Sequence, residues 1–410
     1  KRSGGSARVG KCLFINDKFY KKMIDWSFAG IPHKENQPMD CASMESYISL
    51  PTSSCVDRFE LLPENILLIE DKESIFTDTV MATRLINEVK DEEGNTIDGD
   101  LDTNVEETEI HNKIWDGEAL LDKSIFINNG YSDKAILQIR NRMYKGIGVN
   151  TDIQKFFKDN NITSVQQLNG KTIATDGSQI KLITTPSSIK YLKYGTFEKW
   201  LKQIVPIWGI CKYEKPQKHF DGMVQTHYQL LNTLGMSKDK MKDFLEDTIN
   251  YVNLLKNDIS VFKYHLGIGQ ALPSEDGEYL TLPTYISTSS QFVHEMLKRN
   301  DDFINTKMGK SFRNDLIKSY INNIRHGHVL VQGNYSVVVD APYEMLLESV
   351  GKWDGVSSLI KQNECVCSKF RVDEEIVASR SPQPTMCNMT VFKNNKYNEV
   401  TLLELKFELY

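Results

Sequence analysis

No apolar run in this chain of 410 residues approaches the ~20 residues that a membrane-crossing helix requires. No secretory apolar segment stands near its start, so contact with a membrane is not expected. No CxxC pair occurs among the seven cysteines, and their number is odd. A disulfide framework and a four-cysteine zinc site are both disfavoured, and reduced thiols in a cytoplasm are the expectation. Bulk positive charge is missing as well. With a net charge of −6, charge alone does not draw the whole chain to nucleic acid. No internal repeat or low-complexity tract is present. The chain begins at Lys1 rather than Met, as a trimmed or partial chain does.

What is present is ordinary in amount and uneven in place. The apolar share of 40% and charged share of 25% are those of a globular chain long enough for two or three domains. Residues 91–109 are strongly acidic and 134–218 rich in Lys and Arg, so a local basic groove is compatible with the acidic total. The opening KRSGGSARVGKC reads as a glycine-rich loop, either a plain terminus or a phosphate-gripping one. ENILLIED predicts a strand and DTVMATRLINEV a helix. ILQIRNRMYKGIGV is a β-rich run, and KTIATDGSQIKLIT predicts a hairpin turning at Asp176-Gly177. Ser187 and Ser188 are placed to cap a helix running through KYLKYGTFEKWLKQIV. Residues 220–310 read as mainly helical: Ser237 is an N-cap, and Met241, Phe244, Leu245, Thr248, Val252 and Leu255 form a core-facing stripe. GHVLVQGNYSVVVDAP predicts a second hairpin at Gly333-Asn334, and EEIVASRSPQPTM a strand entering a proline-stiffened loop. The sum is a mixed α/β (α+β) fold.

The stretch DGDLD, positions 98–102, sets three aspartates at alternate positions. Such a cluster holds magnesium in polymerases and opens calcium loops. Asp98, Asp100, Asp102, Asn104 and Glu109 fall at positions 1, 3, 5, 7 and 12 of an EF-hand loop, with Val105 at the apolar position 8. Thr103 stands where that loop wants glycine. A calcium loop, a metal cluster and a solvated acidic loop are the three readings. His326 and His328, flanking Gly327, are a further candidate metal pair.

Three basic stretches come in a particular order: RNRMYKGIGVN (140–150), TTPSSIKYLKY (184–194) and ASRSPQPTMCNM (378–389). Together they resemble the eukaryotic-type RNA-dependent RNA polymerases and their relatives in phages and mobile elements, enzymes with two double-psi β-barrels. MYKGIGV is similar to the YKG-type motif of the first barrel, SIKYLKY to the segment that follows with a second basic residue, and SRSPQPT to the Arg-x-Pro motif of the second barrel. WDGEALLD, QTHYQLLNTL and DAPYEMLLESVG also resemble segments of the phage branch. The likeness runs from about residue 1 to about 390.

The resemblance implies four regions: a mixed N-terminal region over 1–110, a first double-psi barrel over 111–218, a helical connector over 219–310, and a partial second barrel over 311–410. It implies that Lys145 binds nucleotide phosphates or the RNA end, with Gly146 allowing close approach. Lys190 or Lys193 is the second basic group, the register leaving both open. Arg380 holds the incoming nucleotide, and Pro382 shapes its loop. Partners would be a nucleic-acid template and nucleoside triphosphates, with Mg2+ as cofactor of the complete enzyme. Nucleotidyl transfer asks mainly for positioning and charge neutralisation, which fits these residue types. The family's metal-binding DxDxD motif lies downstream of Arg-x-Pro, yet no aspartate follows Arg380 here. The expectation is therefore an incomplete polymerase, inactive alone. A non-catalytic nucleic-acid-binding protein and a calcium-binding interaction module are the alternatives.

Overall fold

The computed structural model describes residues 14–31, 40–52, 55–92, 94, 96–166, 174–213, 223–268, 289–361, 363–367, 369–380 and 388–395. The basic glycine-rich start, Pro382 and the stretch after Asn395 lie outside them. The chain divides into two units.

The first unit takes the described residues of Lys1–Glu214 and Val338–Lys361. Helices α1 (Asp17–Ser27) and α2 (Cys41–Ile48) precede strands β1 (Asp57–Glu60) and β2 (Ile66–Leu68). Two long strands follow, β3 (Lys72–Lys90) and β4 (Thr96–Ile114). Then come β5 (Glu118–Asp122), α3 (Lys123–Asn128), β6 (Ile136–Asn141), β7 (Tyr144–Thr151) and α4 (Ile153–Asp159). Strands β8 (Ser164–Gln166), β9 (Ala174–Asp176) and β10 (Leu182–Thr184), helix α5 (Phe197–Leu201) and strand β11 (Ile207–Tyr213) complete this run.

Seven of these strands make one open sheet in the order β1-β11-β6-β7-β5-β10-β2. Its pairings are mixed: β5–β7 and β10–β2 are parallel, the others antiparallel. Strands β2, β5 and β10 are buried along their whole length, which explains their continuous apolar runs rather than alternation. Successive side chains feed opposite faces. Leu121, Leu182, Ile66 and Leu68 enter one core with Tyr144, Trp200 and Trp208. Leu120, Ile183 and Leu67 enter the other with Phe156, Phe157, Met345 and Leu346. Truncating a ring such as Trp208 to alanine in such a core costs about 3–5 kcal/mol.

The second unit takes the described residues of Lys215–Val337 and Gln362–Lys396. Strand β12 (Met223–Gln225) leads into helices α6 (Tyr228–Thr233), α7 (Lys238–Phe244), α8 (Glu246–Asn257), α9 (Ile259–His265), α10 (Ser289–Arg299) and α11 (Lys307–Arg325). Strand β13 (Leu330–Gln332) pairs antiparallel with β12. Helix α12 (Pro342–Glu348) belongs to the first unit. Strands β14 (Glu364–Cys365), β15 (Glu375–Ser379) and β16 (Met389–Asn394) form a small sheet in the order β14-β16-β15. Ser237 caps α7, accepting from the Lys240 amide, and Thr248, Val252 and Leu255 are buried as the stripe requires.

Several expected elements differ. DTVMATRLINEV is strand, not helix: it lies within β3, paired with β4 except at a bulge where Asn87 and Glu88 are skipped. The expected acidic loop over 91–110 is mostly β4. Asp176-Gly177 does not turn a hairpin. Asp176 caps a 3-10 turn over Gly177–Gln179, β9 pairs with β8, and β10 joins the main sheet. Gly333-Asn334 does not either, since β13 finds its partner in β12. The long helix expected after Ser188 breaks into 3-10 turns at Pro186–Ser188 and Lys190–Lys193 and the short α5, capped by Thr196. Strands β1 and β2 sit in one sheet with β5–β7, across the boundary expected at 110.

Candidate functional site

Strands β6 and β7 form a tight hairpin, Asn141 facing Tyr144, with Arg142-Met143 as the turn. Met143 takes a left-handed φ of 55° there. Tyr144 is fully buried, its ring centroid 4.9 Å from that of Trp208 and 5.9 Å from that of Trp200. Its hydroxyl meets Thr184 Oγ1 at 3.1 Å. Burial pushes this phenol up to about 12. Lys145 follows on the opposite strand face and is exposed. Gly146 returns to the Tyr144 side, where a Cβ would stand 2.8 Å from the phenol oxygen. Glycine at this position is thus dictated by the packing of Tyr144.

The two arginines of RNRMYKG are structural. Arg140, opposite Lys145 and buried, donates to the carbonyl oxygens of Ile139 (2.8 Å) and Gly146 (3.4 Å). Arg142 donates to the Gln203 carbonyl at 2.5 Å and to that of Trp26, and its guanidinium lies 4.6 Å from the Trp26 ring centroid. It fastens α1 to the hairpin. Burial lowers both guanidinium pKa values.

The second basic stretch is stitched to this hairpin. Ile189 bridges to Tyr144, and the Lys190 amide donates to the Met143 carbonyl at 2.7 Å. Two segments more than forty residues apart in sequence thus share one edge. The Lys190 ammonium is half-buried and turns back to the Ser187 carbonyl. Lys193 instead donates to the Tyr47 hydroxyl at 2.7 Å and lies 5.1 Å from that ring's centroid. That hydrogen bond raises the Lys193 pKa and lowers that of Tyr47. The Lys145 backbone is held in the β6–β7 ladder opposite Arg140, and among the described residues no side-chain hydrogen bond or ion pair engages its exposed ammonium. Of the three expected basic residues, Lys145 is the one whose charge is presented to solvent without a local bond.

Arg380 lies just after β15 in the second unit. It is exposed, and its amide donates to the Asn388 carbonyl at 3.0 Å. Pro382 lies outside the described residues.

Two buried acids that each keep an unpartnered oxygen escaped the sequence reading. Glu118 on β5 accepts from the Asp340 amide at 2.8 Å through one oxygen, while the other has no partner among the described residues. Glu344 on α12 accepts from the Leu359 amide at 2.8 Å, and its second oxygen is likewise unpartnered. Burial, with Asp340 and Glu344 nearby, pushes the Glu118 carboxyl well above its usual range. WDGEALLD and DAPYEMLLESVG therefore meet: the Trp115 indole also donates to the Ala341 carbonyl at 3.2 Å. The signal was faint, a glutamate opening the short strand EALLD.

DGDLD lies on β4, in a two-stranded ribbon with β3. Strand alternation puts the three aspartates on one face, about 7 Å apart in succession, too far for one ion held at about 2.4 Å. Each carboxylate has a local task. Asp98 accepts from the Gly99 amide (2.8 Å), Asp100 from Asn87 Nδ2 (3.0 Å) and Asp102 from Asn104 Nδ2 (2.5 Å). The EF-hand reading fails on geometry, since an extended strand cannot wrap a cation. His326 and His328 part ways too: their Nδ1 atoms bond the carbonyls of Asn322 (2.7 Å) and Thr226 (2.9 Å). Among the described residues, no three of His, Cys, Asp or Glu converge as metal ligands. The described residues do not fit a magnesium site.

No family model matches the chain, and no curated protein matches it.

Proposed function

We propose that this chain contributes phosphate and nucleic-acid contacts to template-directed RNA synthesis of the two-barrel polymerase type. The observation that carries the reading is the junction of two basic stretches. The strand bearing Lys145 and the turn bearing Lys190 are joined by the Ile189–Tyr144 bridge and the Lys190–Met143 hydrogen bond. An exposed lysine on a rigid, fully packed strand is a suitable point charge for a phosphate. Lys190 is taken as the second basic residue, because its backbone is bound to the hairpin while Lys193 is directed to Tyr47. Arg380 is assigned to the incoming nucleotide by the resemblance of SRSP alone. Within this reading the seven-stranded sheet corresponds to the first double-psi barrel, the helices of the second unit to the connector, and β14–β16 to the start of the second barrel.

No catalytic step is assigned to this chain. Nucleotidyl transfer uses metal-held carboxylates, and no such cluster stands among the described residues. The test supplies a DxDxD-bearing segment, fused or in trans, and follows labelled nucleoside triphosphate into RNA. Incorporation should appear only with that segment and be lost in Lys145→Ala. Incorporation that survives Lys145→Ala removes the role given to this lysine. Salt-sensitive binding without incorporation in any version would instead favour a non-catalytic nucleic-acid-binding protein.

A further inference from the structure

We propose that Cys55 and Cys211 are a reversible oxidation site, closing to a disulfide that ties the chain entering β1 to strand β11. The two residues are 156 positions apart, yet their sulfurs lie 3.6 Å from each other. Both are free thiols, Cys55 exposed and Cys211 partly buried. A disulfide needs the sulfurs at about 2.0 Å, so closure requires a small side-chain rotation.

The surroundings are shaped for this pair. A Cβ at position 209 would stand 2.4 Å from the Cys55 sulfur, so Gly209 is what leaves room for the thiol. On β11, Ile210 faces Ile139 and Lys212 faces Gln138, and Cys211 is skipped between them. It is the extra residue of a β-bulge, a device that re-aims a side chain. The buried Arg140 faces Gly209 across the strands. Among the described residues its hydrogen bonds go to carbonyl oxygens, and its charge acts on both thiols. A guanidinium without a carboxylate bond among the described residues favours a thiolate beside it. Burial and the neighbouring Cys55 nonetheless push the Cys211 thiol up to about 11, with Arg140 and Lys212 opposing. Reaction therefore begins at the exposed Cys55.

The oxidant is a low-molecular-weight disulfide. The Cys55 thiolate attacks one of its sulfurs, and the other half leaves with the bonding electron pair as a thiolate. Cys211, its proton passed to solvent base, then attacks the Cys55 sulfur and expels the second half. Two protein thiols lose two electrons and two protons, and the small disulfide becomes two thiols. The proposal is independent of the polymerase reading.

The chain of 410 residues is incubated with oxidised glutathione and mapped by non-reducing peptide mass spectrometry. A Cys55–Cys211 peptide should form and disappear on reduction, and its formation should quicken as pH rises toward the Cys211 value. Cys211→Ser should stop at the glutathione adduct on Cys55, and Cys211→Ala gives the same reading if the serine variant folds poorly. A wild-type chain that accumulates the adduct on Cys55 without the cross-link overturns the proposal. So does any other pairing in its place.

Discussion

Gly146 shows how a motif letter can have a local cause. In YKG the glycine reads as a place where phosphate comes close, but its Cβ would meet the Tyr144 ring and hydroxyl. Gly146→Ala should lower stability by about 1–3 kcal/mol through overpacking. The cost should shrink in a Tyr144→Phe background, which removes the nearest atom. Denaturant midpoints of the four chains give the coupling, and strictly additive losses would refute the contact. Glu118 acts through pH. Its folded pKa is raised above a usual value of 4.5, so the folded chain holds the proton longer than the unfolded chain does. The stability this group contributes is complete below that usual value and is lost as pH rises through the folded pKa. Glu118→Gln keeps an acceptor for the Asp340 amide and cannot ionise. Its stability relative to wild type should therefore climb from acid to alkaline buffers, and a difference that stays flat with pH would remove the assignment.

At the scale of elements, legibility followed burial. Helix α8 was readable because Thr248, Val252 and Leu255 face a core at helical spacing, and β2 because ILL is buried throughout. The β3–β4 ribbon was not. DTVMATRLINEV has good helix formers, but its residues are set by pairing, Arg84 opposite Asp102 and Leu85 opposite Leu101, and both faces are largely exposed. With little burial on either face, neither period is written strongly in the sequence. The two expected hairpins failed differently. Asp176 and Gly177 are turn residues, but the strands beside them pair with more distant segments, which no local string records. The ribbon yields a direct test of the acidic cluster. Calcium titrated into the chain should give no saturable heat, and Asp98→Ala should not differ from wild type. Saturable heat lost in that variant would restore the calcium reading.

Across the whole molecule, charge is partitioned rather than balanced. Between Lys72 and Ile114, twelve acidic residues stand against four basic ones, an excess greater than the net −6 of the chain. The rest is therefore mildly basic, and the overall sign misleads about any surface outside the ribbon. The strand and helix patterns made the mixed α/β class legible, and the resemblance of the basic stretches singled out Lys145 with either Lys190 or Lys193. What the sequence could not give was the strand order that joins β7 to the Lys190 turn, because Ile189 and Tyr144 meet only through the fold. The proposed phosphate role has a measurable electrostatic consequence. If the ammonium of Lys145 neutralises one phosphate, Lys145→Ala should weaken RNA binding about equally across sequences. It should also reduce the slope of log K against log salt by about 0.7–0.9. Lys193→Ala, which removes an ammonium already bound to Tyr47, should change that slope less. Fluorescence anisotropy over a salt series measures both, and equal slopes for wild type and Lys145→Ala would show that this lysine touches no phosphate.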